Sequence, residues 1–149
     1  MSILGISQIF RKHPLIKTAA VYLAAAVSAI LINKIYSLFG HGVSSVAMTY
    51  MFLYPLAGGA AAYLLLALLW PGLNRFAGFR MVYNLYNSGI AVLTVGSMLK
   101  GILEIAGTAS PYIKFYYIAG YALAGAGLLL FGCFIINYRR VQTLKPDTK

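Results

Sequence analysis

Polar and apolar positions fall in long blocks along this chain rather than in short periods. Lys, Arg, Asp and Glu are absent from residues 18 to 33, 35 to 74, 81 to 99 and 115 to 138. About 20 mostly apolar residues suffice to cross a ~30 Å hydrocarbon core. Each run can therefore supply one span, the first with help from Lys17 and Lys34, whose stems can carry their charges out to the two surfaces. The polar stretch "GHGVSS" interrupts the second run near its start. The pattern predicts four helices, at about 15–39, 43–70, 80–105 and 112–138. They would form a membrane domain over residues 14–140, between an N-terminal segment (1–13) and a tail (141–149). The runs are too long, and alternate too little, for the strands of a membrane barrel.

Composition sharpens the picture. The 149 residues are 61% hydrophobic and only 9% charged, whereas roughly a quarter of a soluble domain is charged. So few charges cannot solvate a globule, which excludes the soluble classes. The expected fold class is an all-α integral membrane protein, a four-helix transmembrane bundle. The bases predict its orientation. Arg11, Lys12 and Lys17 precede the first helix, Arg75 and Arg80 lie between the second and third, and Arg139, Arg140, Lys145 and Lys149 follow the fourth. Lys34, Lys100 and Lys114 are left for the other side. Cytoplasmic loops carry the excess of bases, so both termini are expected in the cytoplasm and the chain in the cell (plasma) membrane. Tyr36, Trp70, Tyr112 and Tyr138 fall near the predicted helix ends, where amphipathic rings prefer to sit.

"RKHPLIK" followed by an apolar run ending "AVSA" has the outline of a cleaved signal. Apolar residues continue past Ala29 as "ILI", which favours a first membrane helix instead. Ahead of it, Ile3, Ile6 and Phe10 at helical spacing describe either a short helix lying in the interface or a frayed end. The net charge of +10 reads as a cytoplasmic rim (Arg11, Lys12, Lys17, Arg75, Arg80, Arg139 and Arg140) facing anionic lipid head groups, not nucleic acid.

A weak repeat runs at an offset of 67 residues. "YPLAGGA" at Tyr54 to Ala60 aligns with "YALAGAG" at Tyr121 to Gly127, and Tyr50, Gly40, Ile35 and Ala24 meet Tyr117, Gly107, Ile102 and Ala91. A genuine repeat would make the bundle two tandem parallel helical hairpins; the competing reading is coincidence in a chain rich in Ala, Gly, Leu and Tyr. Gly58 and Ala62, Gly120 and Ala124, and Ala122 and Ala126, each four apart, would let helices approach closely. Pro55 should kink the second helix and leave the Met51 carbonyl without its helical partner.

The polar residues of the third helix are the candidate site. Asn84, Asn87, Thr94, Ser97 and Glu104 follow a 3–4 spacing, the mark of one helix face. This face is either bundle glue or the wall of a solute path. Glu104, the only acid outside the tail, lies 24 residues beyond Arg80, or ~36 Å along a helix. It is thus expected at the membrane surface, in an i, i+4 ion pair with Lys100. Tyr50, Tyr54, Tyr117 and Tyr121 could add hydroxyls to an outward-facing cavity.

Several chemistries fail by inventory. An aspartyl dyad needs two acids, but Glu104 and Asp147 are predicted on opposite sides. Paired cysteines are missing, since Cys133 is alone. His13 and His41 are likewise predicted apart, so no metal or haem site is expected. Neither a Ser-His-acid set nor a phosphate loop is present. The sequence thus predicts a protein that is not an enzyme and needs no cofactor. The expected role is a self-associating or accessory membrane subunit, in a homo-oligomer or a larger membrane complex. The alternative is a small-solute or lipid transporter or channel working as an oligomer.

Overall fold

The computed structural model describes residues 14–40, 43–69 and 78–143. Four helices long and apolar enough to cross a membrane follow one another: α1 (Pro14–Phe39), α2 (Val46–Leu69), α3 (Phe79–Ile105) and α4 (Ile113–Thr143). No strand occurs among the described residues, so the expected all-helical class and the four long apolar helices are observed. The predicted interfacial segment 1–13 with Arg11 and Lys12, the connection carrying Arg75, and the end of the tail with Asp147 lie outside the described residues, as do the side chains of Arg139 and Arg140.

Local chemistry sets the helix ends. Pro14 opens α1, where a missing N–H costs nothing and the fixed φ already suits a helix. Ser45 caps α2: its extended backbone (φ −109°, ψ 131°) lets Oγ accept from the Met48 N–H at 3.2 Å. α2 therefore starts at Val46 rather than 43, because "GHGVSS" is used for the connection and the cap. α3 ends in a Schellman motif. Gly107 adopts φ 68°, Thr108 N–H returns to the Leu103 carbonyl at 2.9 Å, and Gly107 N–H to that of Glu104 at 3.2 Å. α4 runs on to Thr143, so the predicted boundaries at 138 and 140 fall inside a helix. Arg139 and Arg140 are good helix formers; a change from apolar to basic marks where a span would leave lipid, not where the hydrogen bonding stops.

α2 is interrupted. Val46–Tyr50 is α-helical, Met51 and Phe52 form a turn, Tyr54–Ala61 is a π-helix, and Ala62–Leu69 is α-helical again. The break comes one turn before Pro55, whose ring clashes with the preceding turn and which brings no N–H. The Met51 carbonyl, without the i+4 partner that Pro55 cannot supply, is reached instead by Tyr54 N–H at 3.3 Å in a tighter i→i−3 bond.

The helices pack in two antiparallel pairs, α1 on α2 and α3 on α4, joined by α2 against α3. One core lies where α1 and α3 begin and α2 ends, here termed the basic end: Leu15, Ala19, Tyr63 and Phe79, flanked by Tyr22, Tyr83, Tyr86 and Phe131. The other, at the opposite end, centres on Ala29, Met48 and Met51. Backbone proximity between α3 and α4 depends on small residues. Cβ atoms built on Gly89, Gly96, Gly120 and Gly127 would strike Ala124, Tyr116, Leu93 and Tyr86 respectively. The predicted Gly120/Ala124 pair thus sits in this seam. Gly58 instead faces Ile90 of α3, and Ala122 is exposed.

The 67-residue offset relates the buried faces of the two pairs. Ala19, Tyr22 and Ala29 face α2, and their counterparts Tyr86, Gly89 and Gly96 face α4. The counterpart of Pro55 is Ala122, inside an unbroken helix, so the interruption belongs to the first pair alone.

Candidate functional site

The polar residues of α3 wind around the helix instead of holding one face. At ~100° per residue a 3–4 spacing drifts, and Asn84 and Glu104 end up about 160° apart. Each therefore meets a different neighbour. Asn87 turns into the bundle at the basic end. Its Oδ1 accepts two hydroxyl protons, from Tyr22 of α1 at 2.8 Å and Tyr63 of α2 at 2.7 Å. Both lone pairs of one carbonyl oxygen are thereby satisfied, and one amide ties three helices together. Thr94 gives its proton to the Ile90 carbonyl of its own helix at 2.8 Å. Ser97, buried, donates to the Ala47 carbonyl in the first segment of α2 at 2.7 Å. Asn84 is exposed on the outer side of α3.

Two more tyrosines complete the cluster around Asn87. Thr18 gives its only proton to the Pro14 carbonyl at 3.1 Å, so in the 3.0 Å contact between Thr18 Oγ1 and the Tyr83 hydroxyl the tyrosine donates. Tyr86 donates to the Gly58 carbonyl in the π-helix at 2.6 Å. The rings pack on one another as well: Tyr22 and Tyr63 stack with centroids 5.8 Å apart, and Tyr86 meets Tyr63 edge-on at 6.2 Å. All four hydroxyls act as donors inside the chain. The adjacent cleft of about 40 Å³ is walled by Tyr63, Leu66, Phe79, Tyr83, Tyr86 and Phe131.

At the opposite end Glu104 and Lys100 form the expected i, i+4 pair at 3.7 Å, with both side chains close to half exposed. The carboxylate has a second partner that the sequence reading missed, Ser45 Oγ, which donates to it at 2.5 Å. Ser45 thus joins Glu104 of α3 to the first turn of α2. Removing the hydroxyl with Ser45→Ala should lower stability by about 1 kcal/mol, the usual cost of a lost N-cap. Glu104→Gln keeps an acceptor for Ser45 and should change stability by no more than about 0.5 kcal/mol, as for other exposed pairs. Denaturation of both variants in detergent checks the ranking; equal losses would mean that the charge, not the cap, holds this end.

Of the four tyrosines expected around an outward cavity, Tyr50 and Tyr121 are exposed, while Tyr54 is half-buried beside Tyr117 and Tyr121. A second group, Tyr22, Tyr63, Tyr83 and Tyr86, gathers around Asn87. A signal for them was available in depth. Tyr22 stands eight residues into α1 and Asn87 eight residues into α3, at equal heights above the basic end. Among the described residues no three of His, Cys, Asp and Glu come together, and Cys133 is exposed. Comparison of the chain with protein-family models, curated proteins and solved structures finds no match.

Proposed function

We propose that this chain is a non-catalytic integral membrane protein that spans the plasma membrane four times with both termini cytoplasmic. On this reading it acts as a self-associating or accessory membrane subunit. The observation that carries the reading is the closed hydrogen bonding of the middle of α3. Asn87, Thr94 and Ser97 would lie within hydrocarbon, and all are engaged with neighbouring helices or with their own backbone. Interhelical glue requires that arrangement, whereas a solute path requires polar groups turned toward water. The outward stance of large apolar residues such as Leu31, Leu68 and Leu129 supports lipid around the bundle. The gathering of bases at one end supports the orientation and an attraction to anionic head groups.

Thiol labelling tests the topology and separates the subunit reading from transport along α3. In a Cys133→Ala background, single cysteines replacing Ser2, Gly42, Ala77, Ser110 and Thr148 should react with an impermeant reagent from outside only at positions 42 and 110. Position 77 is used because Gly78 holds φ 91°, which a side chain would strain. Thr94→Cys should stay unlabelled from either side. Outside labelling at position 77 would sink the topology, and labelling at 94 would make transport the leading reading.

A further inference from the structure

The outer side of α3 at the basic end carries polar groups that make no side-chain hydrogen bond to another described residue. Arg80, Asn84 and Ser88 are exposed and line a shallow depression together with Gly78, Met81 and Leu85. Their i, i+4, i+8 spacing makes one stripe. The side-chain hydrogen bonds and ion pair of α3 involve Tyr83, Tyr86, Asn87, Thr94, Ser97, Lys100 and Glu104. Arg80, Asn84 and Ser88 make none to another described residue. A guanidinium, an amide and a hydroxyl thus climb the outside of a helix over ~12 Å, with Met81 (67% exposed) beside them.

We propose that this stripe binds one anionic phospholipid of the cytoplasmic leaflet, an inference that rests on the membrane reading above. The polar layer on each side of the hydrocarbon is ~5–8 Å deep. Arg80 then stands level with phosphate, and Asn84, ~6 Å further in, level with the ester carbonyls. Ser88 is one turn deeper, at the top of the acyl chains, where a serine can turn its proton back to its own helix. Arg80 supplies a planar pair of donors to phosphate oxygens, the Asn84 amide donates to an ester carbonyl, and Met81 and Leu85 lie along the first methylenes. Charge decides between a lipid and a second copy of the chain. The only carboxylate among the described residues, Glu104, is paired at the far end of α3. A two-fold contact through this stripe would therefore set Arg80 against Arg80 with no acid between them.

Retention of lipid by the purified full-length chain, read by native mass spectrometry, tests the proposal, with phosphatidylglycerol and phosphatidylcholine as probes. Wild type should hold one phosphatidylglycerol after phosphatidylcholine has been stripped. Arg80→Gln should weaken retention about fivefold and Arg80→Gln with Asn84→Leu roughly tenfold or more. Arg80→Lys should keep most of it, and Lys114→Gln, at the other end, all of it. Soluble glycerol phosphate should not displace the lipid, because it lacks the chains that Met81 and Leu85 hold. A thermal melt of each variant separates loss of the site from loss of the fold, and Arg80→Gln alone carries the comparison should the double variant not fold. Equal retention of the two lipids, unchanged retention in Arg80→Gln or in the double variant, displacement by glycerol phosphate, or an Asn84→Cys disulfide between two copies overturns the lipid site while leaving the membrane reading intact. Recovery of the chain in the soluble fraction without detergent overturns both.

Discussion

Gly89→Ala should be among the most damaging methyl additions at the described glycines of this protein. Its Cβ would fall on the backbone nitrogen of Ala124 and within 2.8 Å of that residue's Cα. The obstacle is the α4 backbone, not a side chain that can rotate aside, so α3 and α4 must separate along their seam. Overpacking costs about 1–3 kcal/mol where side chains can adjust, and this site belongs at or above the top of that range. Gly125→Ala is the internal control, because a Cβ there meets nothing within 4 Å. Alanine is the better helix former by roughly 0.8–1 kcal/mol, so that variant should unfold no earlier than wild type. Unfolding in mixed detergent, followed by circular dichroism, checks both. Comparable behaviour of the two variants would mean that α3 and α4 are not in contact at Gly89.

Asn87→Leu should be the second large effect, and its rescue is the sharper test. The substitution leaves the hydroxyls of Tyr22 and Tyr63 without their acceptor. Interhelical bonds in membranes average about 0.6 kcal/mol and reach about 1.7 kcal/mol, so the pair should cost about 2 kcal/mol. Most of that loss comes from stranded donors rather than from a missing attraction. Adding Tyr22→Phe and Tyr63→Phe to Asn87→Leu should therefore restore part of the stability, making the triple variant firmer than the single one. Val95→Phe, on the exposed side of α3, should be near neutral. If the triple variant is weaker than Asn87→Leu by the sum of its parts, the three groups do not form a network.

These expectations mark what could be read from the residues and what could not. The four long helices were legible because charge-free runs of sufficient length have few structural uses. The Glu104–Lys100 pair was legible because i, i+4 neighbours need only helix geometry. Tyr22, Tyr63 and Asn87 were not assembled from the sequence, since their meeting depends on which faces of three separate helices turn toward one another. The 3–4 spacing of Asn84 to Glu104 was read as a straight stripe, and over six turns a 3.6-residue helix rotates such a stripe onto new neighbours. Pro55 announced a disturbance in α2 but not its form. Several of the groups that hold the π-helix, the Tyr86 hydroxyl on the Gly58 carbonyl and the Tyr22 ring against Gly59, come from other helices.

The π-helix of α2 has a consequence for the kinds of change this gene can tolerate. A π turn holds an extra residue relative to an α turn, because its hydrogen bonds span i→i+5 rather than i→i+4. Removing one residue from Tyr54–Ala61 would let the segment close as ordinary α-helix and leave everything before it in nearly the same phase against everything after it. Met48 and Ser45 would then stay beside Gly101 and Glu104 while Tyr63 kept its bond to Asn87. An in-frame loss of one codon here is therefore absorbed within the helix, whereas the same loss from the ordinary α-helix of Ala62–Leu69 twists the two parts of α2 by about 100° against each other.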